Sequence, residues 1–376
     1  MKHRTILVTG GAGFVGIHLC RELIRRGYAV RVLDNLDPQV HGKKARRPQA
    51  LPSSVEWMRG DVTRPADVER AVRGVDAIYH LAAAVGVGQS MYQVRHYVNT
   101  NSMGGATVLE AVIRHRKRIR KVIVASSMSI YGEGQYLCPE CGPVSPPHRT
   151  AAPSRGRKDW NIHCAVCGST LEPQPTPETK PLNPTSIYAV TKRDHEENFL
   201  AVGSAYRVPT VALRFFNIYG PLQALSNPYT GVAAIFCSRL INRQPPIIFE
   251  DGQQSRDFVH VSDIVQACML SLTKPQANYQ VFNVGTGRAT SVLQMAQLLN
   301  NHLKINLEPR ILNRFRAGDI RYCYADISRI EARLGYKPKI SLEQGVPDLI
   351  SWVTQQREKD SVPGAMGELK SMGLIR

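Results

Sequence analysis

Residues 4–34 leave this chain few choices of fold. The apolar run Arg4-Thr5-Ile6-Leu7-Val8-Thr9 ends in Gly10-Gly11-Ala12-Gly13-Phe14-Val15-Gly16. Behind it Leu19, Leu23 and Ile24 alternate with Arg21, Glu22, Arg25 and Arg26 at helical spacing, as far as Gly27. A second apolar run, Ala29-Val30-Arg31-Val32-Leu33-Asp34, closes the unit on an acid. Strand, glycine turn, helix and strand thus succeed one another within about thirty residues, the size of one βαβ unit. A glycine turn lets the backbone approach a pyrophosphate, and the helix it opens offers free N–H groups and a positive dipole end. The spacing predicts a dinucleotide held at Gly10, Gly13, Phe14, Val15 and Gly16. Asp34, with Asn35 beside it, would accept a ribose hydroxyl pair and repel a 2′-phosphate, which favours NAD over NADP.

The alternation continues. Residues 55–62 read as a strand that delivers Asp61 and Val62 to the adenine edge. Residues 77–83 read as a buried strand whose end, Leu81-Ala82-Ala83, suits the close approach of a flat cofactor. A helix is expected over 101–113 and the next strand over 121–127. Near-continuous apolar strands joined by helices predict an α/β fold, a Rossmann-type doubly wound parallel sheet covered on both faces. Ligands of such sheets sit beyond the carboxyl ends of the strands, where Ala125, Ser126 and Ser127 fall, with Asn101 assigned to the same cofactor. The pattern divides the chain into an NAD-binding domain, 1–137 continued by 175–219, and a cysteine-bearing insertion, 138–174. A smaller mixed α/β substrate-binding lobe, 220–356, and a polar, poorly ordered tail, 357–376, complete it.

The insertion carries its own chemistry. It contains Cys138-Pro139-Glu140-Cys141-Gly142 and Cys164-Ala165-Val166-Cys167-Gly168. Two Cys-x2-Cys knuckles can place four thiolates, Cys138, Cys141, Cys164 and Cys167, around one tetrahedral Zn²⁺. A metal would hold together a loop with no apolar core. Four thiolates leave no open position, so a structural zinc ribbon is expected rather than a catalytic centre. His148 and His163 lie nearby and are not needed. Cys20, Cys237, Cys268 and Cys323 stand in apolar contexts and read as small hydrophobes.

Composition narrows the class further. No apolar run approaches the ~20 residues of a membrane span, and Ile6-Leu7-Val8 stops too soon at Gly10-Gly11 for a signal peptide. A cytoplasmic protein without membrane contact is expected. The 48 basic and 30 acidic residues give +18, which nucleic acid, an anionic surface or a polyanionic small ligand would each explain. The densest runs, Arg114-His115-Arg116-Lys117-Arg118-Ile119-Arg120-Lys121 and Lys43-Lys44-Ala45-Arg46-Arg47, lack the interleaved aromatics that stack bases. They read as solvated helix ends and loops.

Downstream, Thr185-Ser186-Ile187-Tyr188-Ala189-Val190-Thr191-Lys192 puts Tyr188 and Lys192 on one helix face. An ammonium beside a phenol favours phenolate and draws its pKa down from about 10, which would make Tyr188 a base for a hydroxyl proton. Gly10-x2-Gly13-x2-Gly16, Asp34, Asp61, Leu81-Ala82-Ala83, Ser127 and Tyr188-x3-Lys192, in that order, resemble the extended short-chain dehydrogenase/reductase family. Arg214-Phe-Phe-Asn217-Ile-Tyr-Gly-Pro221, Arg256-Asp-Phe-Val-His260, Phe282-Asn-Val-Gly-Thr-Gly287 and Arg316-Ala-Gly-Asp319 are similar to its nucleotide-sugar branch, near the UDP-galactose 4-epimerases. The resemblance implies that Tyr188 is the base, that Lys192 binds the nicotinamide ribose and tunes it, and that Ser127 bonds the sugar hydroxyl. It assigns Asn217, Arg256, Arg316 and Asp319 to the nucleotide diphosphate and its ribose; Arg321 and His260 read as structural.

Reaction type turns on the residue directly after Ser127. Dehydratases of this family carry an Asp-Glu pair there and decarboxylating relatives a Glu, whereas this chain has Ser126-Ser127-Met128-Ser129. The resemblance then implies C4 epimerisation of a nucleotide-diphosphate sugar through a 4-keto intermediate, with hydride returned to the opposite face. Other dehydratase or reductase chemistry, or a non-catalytic RNA-binding relative, are the alternatives. The run Val85-Gly86-Val87-Gly88-Gln89-Ser90-Met91-Tyr92 and the insertion are similar to bacterial dTDP-L-rhamnose 4-epimerases, beside which a UDP-hexose remains open. Family resemblance also implies a homodimer through helices near 101–113 and 186–203.

Overall fold

The computed structural model describes residues 4–42, 45–146, 149, 159–225, 231–356 and 362–375. Its centre is a seven-stranded sheet. The chain first lays down β1 (Thr5–Thr9), β2 (Ala29–Asp34), β3 (Glu56–Arg59), β4 (Ala77–His80) and β5 (Lys121–Ser127). Thr210–Phe215 and then Gln280–Val284 extend it beyond β5. The order from that edge is Gln280–Val284, Thr210–Phe215, β5, β4, β1, β2, β3, and every pairing is parallel. The chain therefore reverses direction of travel between β1 and β4, and that reversal opens a crevice at the carboxyl ends.

Alternation along each strand sorts the side chains into two layers. Ile6, Val8, Val30, Val32 and Ile123 pack with Leu19 and Leu23 of helix α1 (Phe14–Arg25) and with Ile264 and Cys268 of helix Val261–Thr273. Leu7, Leu33, Ile78, Val122 and Val124 face the other way, against helices Pro65–Val72, Gly104–Arg114 and Ile187–Ala205. Strands buried on both faces are what the near-continuous apolar runs require.

Three boundaries differ from the sequence expectation. Strand Gln280–Val284 and helix Val261–Thr273 do not belong to the smaller lobe; they add a further parallel crossover to the main sheet, with the helix against α1. Their composition reads equally well as a β-α-β unit, and only pairing decides which sheet receives it. The strand expected over 55–62 stops at Arg59, because Asp61 accepts bonds from Thr63 N and Oγ1 and so closes a turn. Residues 362–375, expected to be poorly ordered, contain helix Val362–Ser371. Ala365 and Leu369 are buried, and Ala317 N donates to Leu374 O at 2.9 Å. This helix docks through only two buried positions, too few to stand out by periodicity.

The smaller lobe packs helices Val232–Ile241, Val292–Leu303 and Leu342–Thr354 around Phe236, Leu240, Met295, Leu299, Val346 and Leu349. Capping boxes at Ser291/Gln294 and Ser341/Gln344 start the last two helices. In the insertion, Gln135–Cys138 pairs antiparallel with Gly142–Val144 and with Glu172–Gln174 over a small core of Tyr136, Ile162 and Leu171 with two cysteines.

The basic run at 114–121 is partly paired within the protein, while Arg116, Lys117 and Arg120 stay exposed. Arg114 and His115 meet Glu69, Arg118 meets Asp76, and buried Lys121 donates to the Ser271 and Lys274 carbonyls. Lys43 and Lys44 lie outside the described residues. No described helix is long and apolar enough to cross a membrane.

Candidate functional site

A cavity of about 460 Å³ opens beyond the carboxyl ends of β1, β2, β4 and β5. It brings together Gly10, Gly13, Phe14, Val15, Gly16, Asp34, Asn35 and Val62 with Leu81, Ala82, Ala83, Ala125, Ser127, Tyr188, Lys192 and Asn217. The glycines do different work. Gly10 has φ +70°, and a Cβ there would lie 2.7 Å from Ala82 N; one at Gly16 would lie 2.4 Å from Gly10 O. Both are demanded by backbone packing. A Cβ at Gly13 would meet only Gly10 O, at 3.3 Å, so this glycine leaves open the approach to α1. Gly13 is the N-cap and provides no side-chain bond to the first-turn N–H groups, the arrangement that suits a pyrophosphate.

Asp34 ends β2 and accepts from Ala12 N at 3.0 Å and Leu36 N at 2.9 Å. Burial raises its carboxyl pKa, and those two backbone bonds partly offset the shift. Asp61 lies outside the lining, and Asn35, which does line it, donates Nδ2 to Asp61 at 3.0 Å. Against burial, the bonds from Thr63 and Asn35 hold Asp61 below the usual carboxylate range.

Asn101 also sits behind the cavity wall. It lies in a π-helical turn, Val98–Met103, ahead of helix Gly104–Arg114. Its side chain accepts from Ala84 N and donates to Ala84 O and to Thr191 Oγ1, thereby tying the β4 loop to the helix of Tyr188 and Lys192. Its carbonyl accepts from His195 Nε2 at 2.7 Å. The neighbouring ring, His80, pairs through Nδ1 with Thr9 Oγ1, and the two imidazole centroids are 5.1 Å apart. Among the described residues, His80 Nε2 and His195 Nδ1 have no hydrogen-bond partner.

Burial holds His80 well below 6.5 and His195 at about 3. The unfolded chain takes these protons near 6.5 and the folded one does not, so stability falls as pH drops from about 6.5 towards 3. Each histidine can add up to about 1.4 kcal/mol per pH unit to that slope. Chemical denaturation across this range should give a shallower acid slope for His195→Gln than for wild type; an unchanged slope would refute the assignment.

At the end of β5, Ser127 Oγ accepts from Ser129 N and bonds Ser129 Oγ at 2.9 Å. Helix Ile187–Ala205 begins at Ser186, whose side chain accepts from Ala189 N, and Tyr188 N is held by Ser90 Oγ at 3.0 Å. Lys192 Nζ donates to Ala125 O at 2.9 Å. Burial raises the Tyr188 pKa, and a hydrogen bond to Ser127 draws it part of the way back. The expected depression by Lys192 is therefore corrected: desolvation dominates the phenol, and it lowers Lys192 itself to about 8. The three side chains still converge on the cavity.

The remaining substrate candidates are split. Asn217 lines the cavity, with a buried Oδ1 that has no partner among the described residues. Arg256, Arg316 and Asp319 are outside that lining. Arg256 donates to the Ser255, Ile320 and Arg321 carbonyls, and Arg316 makes a two-point pair with Asp319 over the Phe249 ring. Arg321 pairs with Asp251 and Glu250 in the core, and His260 accepts from Ser262 N at a helix start, so both are structural. Gln39, His41, Tyr97 and Gln223 line the cavity without any motif to mark them in the sequence. Gln39 and His41 come soon after Asp34, and that position is their only signal.

The four insertion cysteines converge. Their Sγ atoms all lie within 4.8 Å of one another, with Cys138–Cys167 at 3.4 Å and Cys141–Cys164 at 3.8 Å. Zn–S bonds of about 2.3 Å give tetrahedral S···S edges of about 3.8 Å. Gly142 and Gly168, each just after a knuckle, have φ of +82° and +77°. These turns let the Glu140 and Cys141 N–H groups face Cys138 Sγ, and the Val166 and Cys167 N–H groups face Cys164 Sγ. The donor set fits a four-coordinate divalent cation. His163 instead bonds Asp159 and the Gly168 carbonyl; His148 lies outside the described residues.

A doubly wound sheet, a glycine turn with an open Gly13, and serine, tyrosine and lysine meeting at one strand end define a dinucleotide-dependent enzyme of the short-chain dehydrogenase/reductase type. Similarity to known proteins takes this further: the NAD dependent epimerase/dehydratase family matches residues 6–153, and GDP-mannose 4,6 dehydratase matches residues 165–349. The dTDP-L-rhamnose 4-epimerase of Burkholderia thailandensis is 35% identical over 359 residues, 95% of this chain and 96% of that protein. UDP-glucose 4-epimerase of Thermotoga maritima, solved with UDP-glucose, superposes with a TM-score of 0.76 at 29% identity, covering 94% of this chain and all of that one, 100%. UDP-glucuronic acid 4-epimerase of Bacillus cereus, solved with UDP-glucuronic acid and NAD, gives 0.75 at 27% identity, with 93% and 99% covered. The chain belongs to the NAD dependent epimerase/dehydratase family.

Proposed function

We infer that the chain is an NAD-dependent nucleotide-sugar 4-epimerase. One observation carries this most directly: Ser127, Tyr188 and Lys192 converge, and among the described residues no carboxylate bonds Ser127 or Tyr188. Among the described lining residues the carboxylates are Asp34 and Asp37, on the loop side of β2. Asp34 ends β2, three strand spacings or about 14 Å from β5, and Asp37 is engaged in capping the short helix Pro38–His41 through Gln39 N. Elimination or decarboxylation would need an acid–base carboxylate at the sugar, whereas oxidation and re-reduction need only the phenol and its partners. NAD, when bound, accepts a hydride and gives it back. Tyr188 takes the C4 hydroxyl proton and later returns it, Ser127 orients that oxygen, and Lys192 holds the nicotinamide ribose. Asn217 has an acceptor free for the nucleotide, and Arg316 and Asp319 are assigned to its diphosphate and ribose.

The sugar is proposed to be a dTDP- or UDP-linked hexose, with dTDP-L-rhamnose supported by the Burkholderia relative. Incubation with a panel of UDP- and dTDP-sugars, read by NMR, should show inversion at C4, unchanged product mass and no accumulated NADH. Loss of water, or one NADH per sugar, would overturn the reading.

Two further assignments accompany it. The cysteine cluster is proposed to hold one structural Zn²⁺, supported by the sulfur geometry. A homodimer is proposed through the faces carrying Val94, Val98, Met103 and Val190, which are exposed on neighbouring helical segments. Free thiols suit the reducing cytoplasm, the location we propose.

A further inference from the structure

Both roots of the cysteine insertion grip one short segment, and that segment leads directly from Arg316 and Asp319. At the first root, Glu133 is 4% exposed. Its carboxylate accepts from Arg321 N at 2.7 Å, from Tyr322 N at 3.2 Å and from Tyr136 Oη at 2.8 Å. The next residue, Gly134, donates to Tyr322 O at 2.8 Å, and a Cβ at Gly134 would press on that same oxygen. At the second root, Thr176 N donates to Tyr324 O and Thr176 O accepts from Asp326 N. Thr176 Oγ1 also accepts from Gln135 N, so the two roots are fastened to each other.

Tyr136 connects this grip to the cysteines. It is fully buried in the insertion core with Cys138, Cys164, Ile162 and Leu171, two residues from the first thiolate. The path from cluster to loop is therefore short: Cys138, Tyr136, Glu133, then the Arg321 and Tyr322 amides. Arg256 holds the same segment from the other side, through the Ile320 and Arg321 carbonyls. A buried carboxylate accepting three bonds fixes backbone more firmly than neutral contacts do, since bonds to charged groups are the stronger ones.

We propose that Glu133 is a positioning residue through which the cysteine insertion sets the affinity of the Arg316–Asp319 loop for a nucleoside diphosphate. This deepens the proposed function and rests on its assignment of Arg316 and Asp319 to the nucleotide. Glu133 does not line the cavity, so its effect falls on binding and not on the hydride step. Glutamine at 133 keeps the shape but turns an N–H group towards the Arg321 or Tyr322 amide, leaving one of them unpaired. Phenylalanine at 136 removes a single hydroxyl donor and leaves the ring in its core.

The test is titration of the full-length protein with UDP and with dTDP, alongside turnover. Glu133→Gln should weaken nucleotide binding about tenfold and raise KM in proportion, with kcat within about twofold of wild type. Tyr136→Phe should do the same more mildly, by about threefold. Amide exchange over residues 320–326 should quicken in both, with metal content unchanged. Wild-type affinity in both variants, or a fall in kcat at constant KM, would overturn the proposal. If Glu133→Gln does not fold, Tyr136→Phe decides alone. Should wild type bind neither nucleotide, the assignment of Arg316 and Asp319 fails and takes this proposal with it. Should wild type bind and both variants match it, only the proposal fails.

Discussion

Tyr188→Phe is expected to lower kcat by about 10²–10⁴-fold while leaving substrate and NAD binding nearly unchanged. The substitution removes one oxygen and keeps the ring that fills the buried space beside Ser127 and Lys192. Ser90 still holds the residue 188 amide, Asn101 still holds Thr191, and Lys192 still donates to Ala125 O. Only the hydrogen bond to Ser127 goes with the hydroxyl. Single-turnover spectroscopy with the substrate sugar checks this: the transient reduction of bound NAD should slow with kcat, and a UDP or dTDP titration should match wild type. A kcat within tenfold of wild type would mean another group takes the proton. Ser127→Ala should cost less, because in the proposed mechanism Ser127 orients the hydroxyl oxygen and Tyr188 moves its proton.

Much of this site can be read in the sequence because the fold makes local demands there. Gly10 must have φ +70° against β4, Gly16 must let α1 touch the turn, and Asp34 must end β2. Each demand permits few residue types, so each leaves a pattern. The less legible parts depend on contacts between distant segments. Asn101 serves the cavity through a π-helical turn and a bond to Thr191, 90 residues away in the chain. Glu133 meets Arg321 across 188 residues. Neither pairing leaves periodicity or spacing behind. Residues 280–284 are legible as a strand, but their sheet is not, because the apolar run fits any buried parallel position.

The Tyr188 pKa shows the limit of reasoning from spacing. Four residues on a helix put Lys192 on the right face, but spacing cannot say that its ammonium is turned to the Ala125 carbonyl. Nor can it say that burial outweighs every stabilising contact of the phenol. The residues are legible and the sign of the shift is not, because desolvation depends on everything that packs around the pair.

Removing the metal from the cysteine cluster, or replacing Cys138 and Cys164 with serine, is expected to unfold the insertion while the main sheet stays intact. Its buried apolar core apart from cysteine is Tyr136, Ile162 and Leu171, with Val144 and Tyr322 packed against it, too little to order the knuckles and their short antiparallel sheet. Structural zinc sites of this type bind with about 10–16 kcal/mol in isolated peptides, so the metal would dominate local stability. Wild type should carry one zinc per chain by elemental analysis, and its four cluster thiols should resist alkylation until a chelator is added. Cys141 and Cys167, the exposed pair, should react first thereafter, ahead of Cys138 and Cys164. Cys20, Cys237, Cys268 and Cys323 are buried in the body of the protein and should stay protected throughout, which separates local from global unfolding. Amide exchange should rise across 135–146 and 159–174, while β5, buried along its whole length, keeps its protection. Immediate alkylation of Cys141 and Cys167 in untreated protein, with no zinc present, would leave the insertion without its metal and would require another source of order.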